Sequence, residues 1–298
     1  MKNILISGLN GFVGSNLQSF LDNYDIYNII GFNRENSSNQ FKSIDVVVHL
    51  AGKSHDLKNK NNFDDYYNSN FLLTKKIYDD FLISDAKTFI FISSVKSVAD
   101  YSDTYLDENC EPNPISDYGI TKLLAEDYLL NNLPLNKNLY ILRPCMIYGP
   151  RNKGNLNLLI KLVYNKIPWP LGAFNNKRSF CNVNNLCFVI KSLIDNETIE
   201  DGVYNISDDN PISTNDLIRL ISNALNINIL ILKIPKSIIY ILALFGDLIS
   251  YFPLNSNRLS KLTESFVVSN QKIKESLDLE EMPIKIDVGL NDLFTTKN

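Results

Sequence analysis

The sequence predicts an α/β protein: a doubly wound parallel sheet followed by a smaller C-terminal α/β lobe that docks on the sheet edge. Two observations carry this. Short continuous apolar runs alternate with stretches of helical period through the first 150 residues, the pattern of βαβ units whose sheet is covered on both faces. Glycine is scarce, 12 in 298 residues, yet three fall within the first fourteen positions, between the first apolar run and the first helical stretch. The expected division is 1–150 for the sheet unit, with a returning segment at about 178–206, and the remainder of 151–298 for the lobe.

The elements follow in order. Ile4–Ser7 reads as a buried strand, and a glycine turn leads into a helix over Phe12–Asp22. Ile26–Phe32 and Asp45–Leu50, the latter with Val46-Val47-Val48, are the second and third strands. A helix is expected over Asp64–Ile83, a strand over Thr88–Ser93, a helix over Ser116–Asn131 and a strand over Leu139–Leu142. Beyond Pro150 the pattern loosens. Leu156–Val163 is helical, Lys166–Phe174 holds Pro168 and Pro170 and reads as a loop, and Phe180–Val183 and Val203–Ile206 are short strands. Thr214–Leu225 is a helix that Ser213 or Thr214 caps.

Composition narrows the function classes. A net charge of −4 argues against nucleic-acid binding, which uses a basic excess or stripe. The four cysteines, Cys110, Cys145, Cys181 and Cys187, lack zinc or redox spacing, and only His49 and His55 could add imidazole, so no metal site is expected. Reduced, mostly buried thiols in a cytoplasmic protein fit this usage. The N-terminal apolar run ends at Gly8 and does not read as a signal peptide. The most apolar stretch, Ile227–Phe252, is interrupted by Lys233, Pro235, Lys236 and Asp247 and falls short of the ~20 apolar residues of a membrane span. It is expected to form a buried helix, with a membrane-surface or dimer-contact helix as the alternative.

Gly8-Leu9-Asn10-Gly11-Phe12-Val13-Gly14 stands between strand and helix. Its first glycine makes the tight turn, the second lets backbone N–H groups approach a pyrophosphate, and the third lets helix and strand pack closely. The anion then sits at a helix N-terminus. This is a dinucleotide site of a Rossmann-type sheet. After the second strand, Asn33 stands where an NAD site commonly places an acid, and Arg34 suits the 2′-phosphate of NADP. The expectation is therefore NADP, with NAD as the alternative.

At this point the chain resembles the extended short-chain dehydrogenase/reductases, which act mostly on nucleotide-sugars. Gly8, Gly11 and Gly14 match the family's glycine pattern. His49-Leu50-Ala51-Gly52 matches its cofactor-lining strand end, Asn70 its helix asparagine, and Ser93-Ser94-Val95 its serine-bearing strand. Tyr118-Gly119-Ile120-Thr121-Lys122 matches its Tyr-x-x-x-Lys, and Arg143-Pro144 with Tyr148-Gly149-Pro150 its Arg-Pro and Tyr-Gly-Pro. The resemblance implies Ser94, Tyr118 and Lys122 as catalytic residues. It implies cofactor contacts from Gly8, Asn10, Gly11, Phe12, Val13, Gly14, Asn33, Arg34, Leu50, Ala51, Gly52, Asn70, Tyr118, Lys122 and Pro144. Four residues apart on a helix, Tyr118 and Lys122 share a face, and an ammonium beside the phenol is expected to lower its pKa from about 10. Tyr118 would then act as general acid or base.

In the lobe, Arg178 and Arg258 fall in segments resembling those that contact the sugar-nucleotide diphosphate, a geometry that suits two guanidinium forks. Asn155-Leu156 resembles a nucleotide-holding pair, and Lys53, Ser54 and His55 are placed to face the sugar, His55 equally as a packing residue. The expected substrate contacts are Lys53, His55, Ser94, Asn155, Arg178 and Arg258. Val95-Lys96 follows Ser94 where a dehydratase carries an Asp-Glu pair, which argues against dehydration. Between Arg34 and Asp45 only ten residues remain, so the family's usual third strand, its helix and its adenine-holding acid are cut away. That suits an exchanging cofactor. The resemblance then points to an NADP(H)-dependent reductase acting at C4 of a UDP-linked 4-keto-6-deoxy-N-acetylhexosamine. A UDP-N-acetylhexosamine 4-epimerase with tightly bound NAD is the alternative, and a non-catalytic NADP-binding regulator a remoter one. The expected partners are a UDP-sugar, no nucleic acid, no stable membrane insertion and a second copy in a homodimer. A lipid-linked sugar, approached through the apolar stretch near Ile238–Phe252, also stays open.

Overall fold

The structure is a computed structural model that describes residues 1–34, 40–54, 62–102, 104–152, 156–249 and 254–295. Its centre is a six-stranded, wholly parallel sheet in the order β2-β1-β3-β4-β5-β8. The strands are β1 (Lys2–Ser7), β2 (Tyr27–Gly31), β3 (Val46–His49), β4 (Thr88–Ile92), β5 (Asn138–Pro144) and β8 (Gly202–Ile206). Strand alternation sorts the apolar residues onto two faces. Ile4, Ile6, Val46, Val48, Ile90 and Ile92 meet α1 (Phe12–Leu21) and α6 (Val183–Asp195). Leu5, Val47, Phe89 and Phe91 meet α3 (Leu73–Leu82) and α4 (Asp117–Asn131). β2 forms one sheet edge and pairs only with β1. Among the described residues the connection from β2 to β3 holds no strand, as the short spacing from Arg34 to Asp45 implies.

Asn70 lies in a single π-helical turn, Tyr67–Leu72, between α2 (Phe63–Tyr66) and α3. Sequence reasoning read this span as one regular helix. A short parallel pair, β6 (Met146–Tyr148) and β7 (Phe180–Asn182), links the sheet to the lobe. The strand expected to end at Val183 stops at Asn182, whose side chain caps α6 by accepting the Asn184 N–H at 2.8 Å. Ser213 caps α7 (Thr214–Ala224), accepting the Asp216 N–H at 3.0 Å.

A third core joins α5 (Leu156–Tyr164), α7, α8 (Lys236–Leu248), α9 (Ser256–Thr263) and α11 (Ile286–Thr295) through Leu156, Trp169, Ile218, Ile239, Leu259 and Leu290. Here one expectation fails. Of the apolar stretch read as a buried helix, α8 buries only Ile239, Ala243 and Gly246, a narrow seam spaced by four and three residues. Its other apolar side chains stand outward, Leu248 at 82% exposure. No helix among the described residues is long and apolar enough to cross a membrane.

Candidate active site

The glycine loop closes tightly at the carboxyl end of β1. Gly8 has φ +75°, and a Cβ there would lie 2.8 Å from Ala51 N. A Cβ at Gly14 would lie 2.3 Å from Gly8 O and 2.7 Å from Leu9 Cα, so only glycine lets α1 sit this close to the loop. Gly11 forms the N-cap of α1, and no side chain caps this end. The first N–H groups of a helix lack partners within it and face outward. Such a cradle fits a dinucleotide pyrophosphate. Asn10 is exposed on the loop, and Phe12 and Val13 pack partly into the core behind it. Gly31, at the end of β2, lies close to the Leu9 side chain. Asn33 beyond it exchanges two 2.8 Å hydrogen bonds with Gln40, donating its N–H and accepting through its carbonyl, and Arg34 is exposed.

Next to the loop runs a hydrogen-bond relay that the sequence motifs only touched. Ala51 N–H donates to Ser7 Oγ at 3.2 Å, Ser7 Oγ lies 2.5 Å from His49 Nδ1, and His49 Nε2 lies 2.8 Å from Thr74 Oγ1. Thr74 spends its one hydroxyl proton on Asn70 O at 2.5 Å. Thr74 therefore accepts from His49 Nε2–H, and His49 Nδ1 accepts from Ser7. His49 is fully buried and stacks on Phe91 at 5.6 Å. Burial, then the charge on Lys122, push its pKa down to about 3, so the imidazole is neutral as the relay requires. Asn70 continues the chain. Its Oδ1 accepts Lys53 N–H at 2.7 Å, and its Nδ2 donates to Lys53 O at 3.1 Å and to Thr121 Oγ1 at 3.2 Å. The loop after β3, the π turn and α4 are thereby fixed to one another.

The three residues expected to be catalytic come together. Tyr118 lies near enough to Ser94 for that hydroxyl to draw the phenol's pKa down. Gly119 makes this possible, since a Cβ there would lie 2.2 Å from Lys96 O and drive α4 off the turn after β4. Lys122 lies behind, buried, donating to Ile92 O at 2.8 Å and sitting 4.6 Å above the Phe91 ring. A Cβ on Gly52 would lie 3.0 Å from Asn70 Oδ1 and 3.2 Å from Lys122 Nζ, so Leu50-Ala51-Gly52 crosses directly over Asn70 and Lys122.

The expected sign of the tyrosine shift is wrong here. Burial pushes Tyr118 up to about 12; the Ser94 hydrogen bond opposes this, and Tyr66 and Glu126 add to it. Lys122 donates its ammonium to the Ile92 carbonyl, and burial pushes its own pKa down to about 8, with Glu126 opposing. Tyr118 is thus set to hold its proton at neutral pH.

Glu126 was missed by sequence reasoning. One turn beyond Lys122 on α4, it is fully buried and accepts from Arg143 through Nε at 3.0 Å and Nη2 at 2.5 Å. Ser97 donates to it at 2.7 Å, and Ser93 donates to it as well. Ser93 and Arg143 therefore serve α4 placement, which leaves Ser94 as the serine facing Tyr118. An acid two turns after a Tyr-x-x-x-Lys tyrosine, with a strand arginine, was the available signal. Pro144 ends β5, buried, in register with Ile206.

The expected substrate contacts are less concentrated. Lys53 reaches Asp65 at 3.2 Å. Arg178 Nη1 donates to Lys261 O on α9, the helix that carries Arg258, and Arg258 is exposed there. The two arginines thus belong to adjoining segments. His55 and Asn155 lie outside the described residues.

Comparison with known proteins agrees with this geometry. Residues 4–207 match the model of the NAD dependent epimerase/dehydratase family. The UDP-glucose 4-epimerase of Vibrio cholerae is 31% identical, with 93% of this chain and 90% of that protein covered. The N-acetyl-alpha-D-glucosaminyl-diphospho-ditrans,octacis-undecaprenol 4-epimerase of Escherichia coli O157:H7 is 29% identical, over 92% of this chain and 85% of that one. Among solved structures, the UDP-N-acetylglucosamine 4-epimerase from Bacillus cereus superposes with a TM-score of 0.79 at 19% identity, over 99% of both chains.

Proposed function

The chain belongs to the NAD dependent epimerase/dehydratase family, and from that premise we propose that it is an NADP(H)-dependent reductase acting at C4 of a UDP-linked 4-keto-6-deoxy-N-acetylhexosamine. The observation that carries this is the end of β2 at the sheet edge. β2 is outermost, the chain returns from it to β3 without a further strand among the described residues, and Asn33 and Arg34 stand at its end. A cofactor held without that extra cover exchanges readily, as a reductase needs, and Arg34 offers a guanidinium for a 2′-phosphate. Tyr118, pushed up to about 12, keeps its proton at neutral pH and can act as the donor.

When bound, the nicotinamide supplies the hydride that C4 receives. Tyr118 gives its proton to the C4 oxygen as that carbon is reduced. Ser94, beside Tyr118, hydrogen-bonds the same oxygen and so aligns acceptor with donor. Lys122 and Asn70 hold the floor of the site, and the backbone of Gly8, Gly11 and Gly14 cradles the pyrophosphate. On this reading 1–150 with 178–206 binds the cofactor, and the rest of 151–298 binds the UDP-sugar, with Arg178 and Arg258 on the diphosphate. A homodimer in the cytoplasm completes the proposal.

A second reading, a 4-epimerase with retained NAD, is favoured by the names of the 31% and 29% identical relatives. The two separate in one experiment. Purified protein is mixed with NADPH and the UDP-4-keto sugar while near-ultraviolet absorbance is followed. The reductase reading expects one NADPH oxidised per sugar reduced. Protein that arrives carrying NAD and interconverts UDP-hexoses with no added cofactor would establish the epimerase instead.

A further inference from the structure

We propose that the outward face of α8 docks the protein on the surface of an anionic lipid bilayer. This rests on the surface of the lobe and not on the proposed reaction.

α8 carries two apolar stripes. Ile239, Ala243 and Gly246 face the lobe. Ile238, Ile241, Leu242, Phe245 and Leu248 form a second stripe, spaced by three, one, three and three residues, with exposures of 47, 54, 37, 56 and 82%. Each apolar stripe of a helix calls for an apolar neighbour, and here the lobe supplies one only along the inner seam. The thirteen residues of α8 give a stripe about 20 Å long. Just before the helix Leu230 is 62% exposed as well, in the segment that bridges Trp169 and Leu171. An exposed apolar stripe of this length marks a place of contact.

The charges around the stripe select the occupant. Within 164–172 and 226–249 the charged residues are Lys166, Lys233, Lys236 and Asp247, a net of +2 in a chain whose total is −4. All three lysines are exposed. The single acid is engaged elsewhere: Asp247 accepts from Ser256 N at 3.0 Å and Ser256 Oγ at 2.5 Å. A second copy laid two-fold across this face would set lysines against lysines. Anionic headgroups answer the lysines while the acyl boundary takes the apolar stripe, as interfacial helices do. No described helix can cross a membrane, so the docking is peripheral.

The test is co-sedimentation of the full chain with vesicles of phosphatidylcholine alone or with about a third phosphatidylglycerol. We expect binding to the anionic vesicles at least ~10-fold stronger, weakened by salt. Replacing Phe245 and Leu248 together by Glu should reduce it by a further ~10-fold with dinucleotide affinity unchanged, which shows the variant folded. The Lys233→Glu, Lys236→Glu double variant should do the same while leaving the apolar stripe intact. Failure of the wild type to sediment, or equal binding to both vesicle types, overturns the proposal. So does a solution dimer that the Phe245→Glu, Leu248→Glu variant converts to monomer, since the face would then belong to a second copy.

Discussion

The carboxyl end of the sheet and the outer side of the lobe obey opposite rules. Around Tyr118 the buried polar groups are matched with partners: Ser7, His49, Thr74 and Asn70 form a directed relay, and Glu126 satisfies Arg143, Ser93 and Ser97 together. None of these atoms is left without a partner. Along α8 the opposite holds, with apolar side chains facing water unmatched. The first arrangement fixes atoms to fractions of an ångström, which proton donation requires. The second fixes nothing within the chain and makes sense only against something outside it.

Four substitutions or titrations would break or sharpen this contrast. The largest effect is expected from Glu126→Ala. It leaves Arg143 buried without its carboxylate and two serines without an acceptor, and unfolding in denaturant should lose about 3–5 kcal/mol. Next comes His49. Its pKa is about 3 in the fold and about 6.5 when unfolded, so the unfolded chain binds more protons between those values and stability falls as pH drops through that window. From pH 6 to pH 4 the wild type should lose about 2 kcal/mol more than His49→Gln.

Activity should carry its own signature. The Lys122 ammonium, pushed down to about 8, loses its proton while Tyr118, near 12, keeps its own. Reduction should therefore decline about tenfold per pH unit above pH 8, and Lys122→Arg should shift that limb upward. If the limb stays in place, it belongs to another group. The smallest effect is expected on α8. Leu244, 62% exposed, should tolerate Gln within about 0.5 kcal/mol in lipid-free buffer. Ile239→Ala on the inner seam should cost about 2–4 kcal/mol. Equal costs at the two positions would mean that the outer face is covered within the chain.

The same contrast explains what could be read from sequence. Continuous apolar runs such as Val46-Val47-Val48 have one reading, a strand buried on both faces, so the sheet was legible to within a residue or two. Gly8, Gly11 and Gly14 and the Tyr118–Lys122 spacing are local patterns and were legible too. The relay was not. Ser7 and Thr74 are 67 positions apart and chemically ordinary, and only the register of β1 with β3 brings Ser7 beside His49. The sign of the Tyr118 shift was missed for a related reason. Spacing put Lys122 on the same helix face, but burial by the surrounding elements, which no local spacing shows, dominates the shift. For α8, apolarity was mistaken for burial, because a sequence does not say which of two apolar stripes the fold covers.

The central claim is that Tyr118 delivers the proton that completes reduction at C4. Tyr118→Phe removes that proton and little else, because the ring and its neighbours stay in place. Turnover of the UDP-4-keto sugar and NADPH affinity should be measured on the same preparation. The structure predicts a turnover lower by at least about a thousandfold with NADPH binding within about twofold of wild type. Near-wild-type turnover in Tyr118→Phe would contradict it.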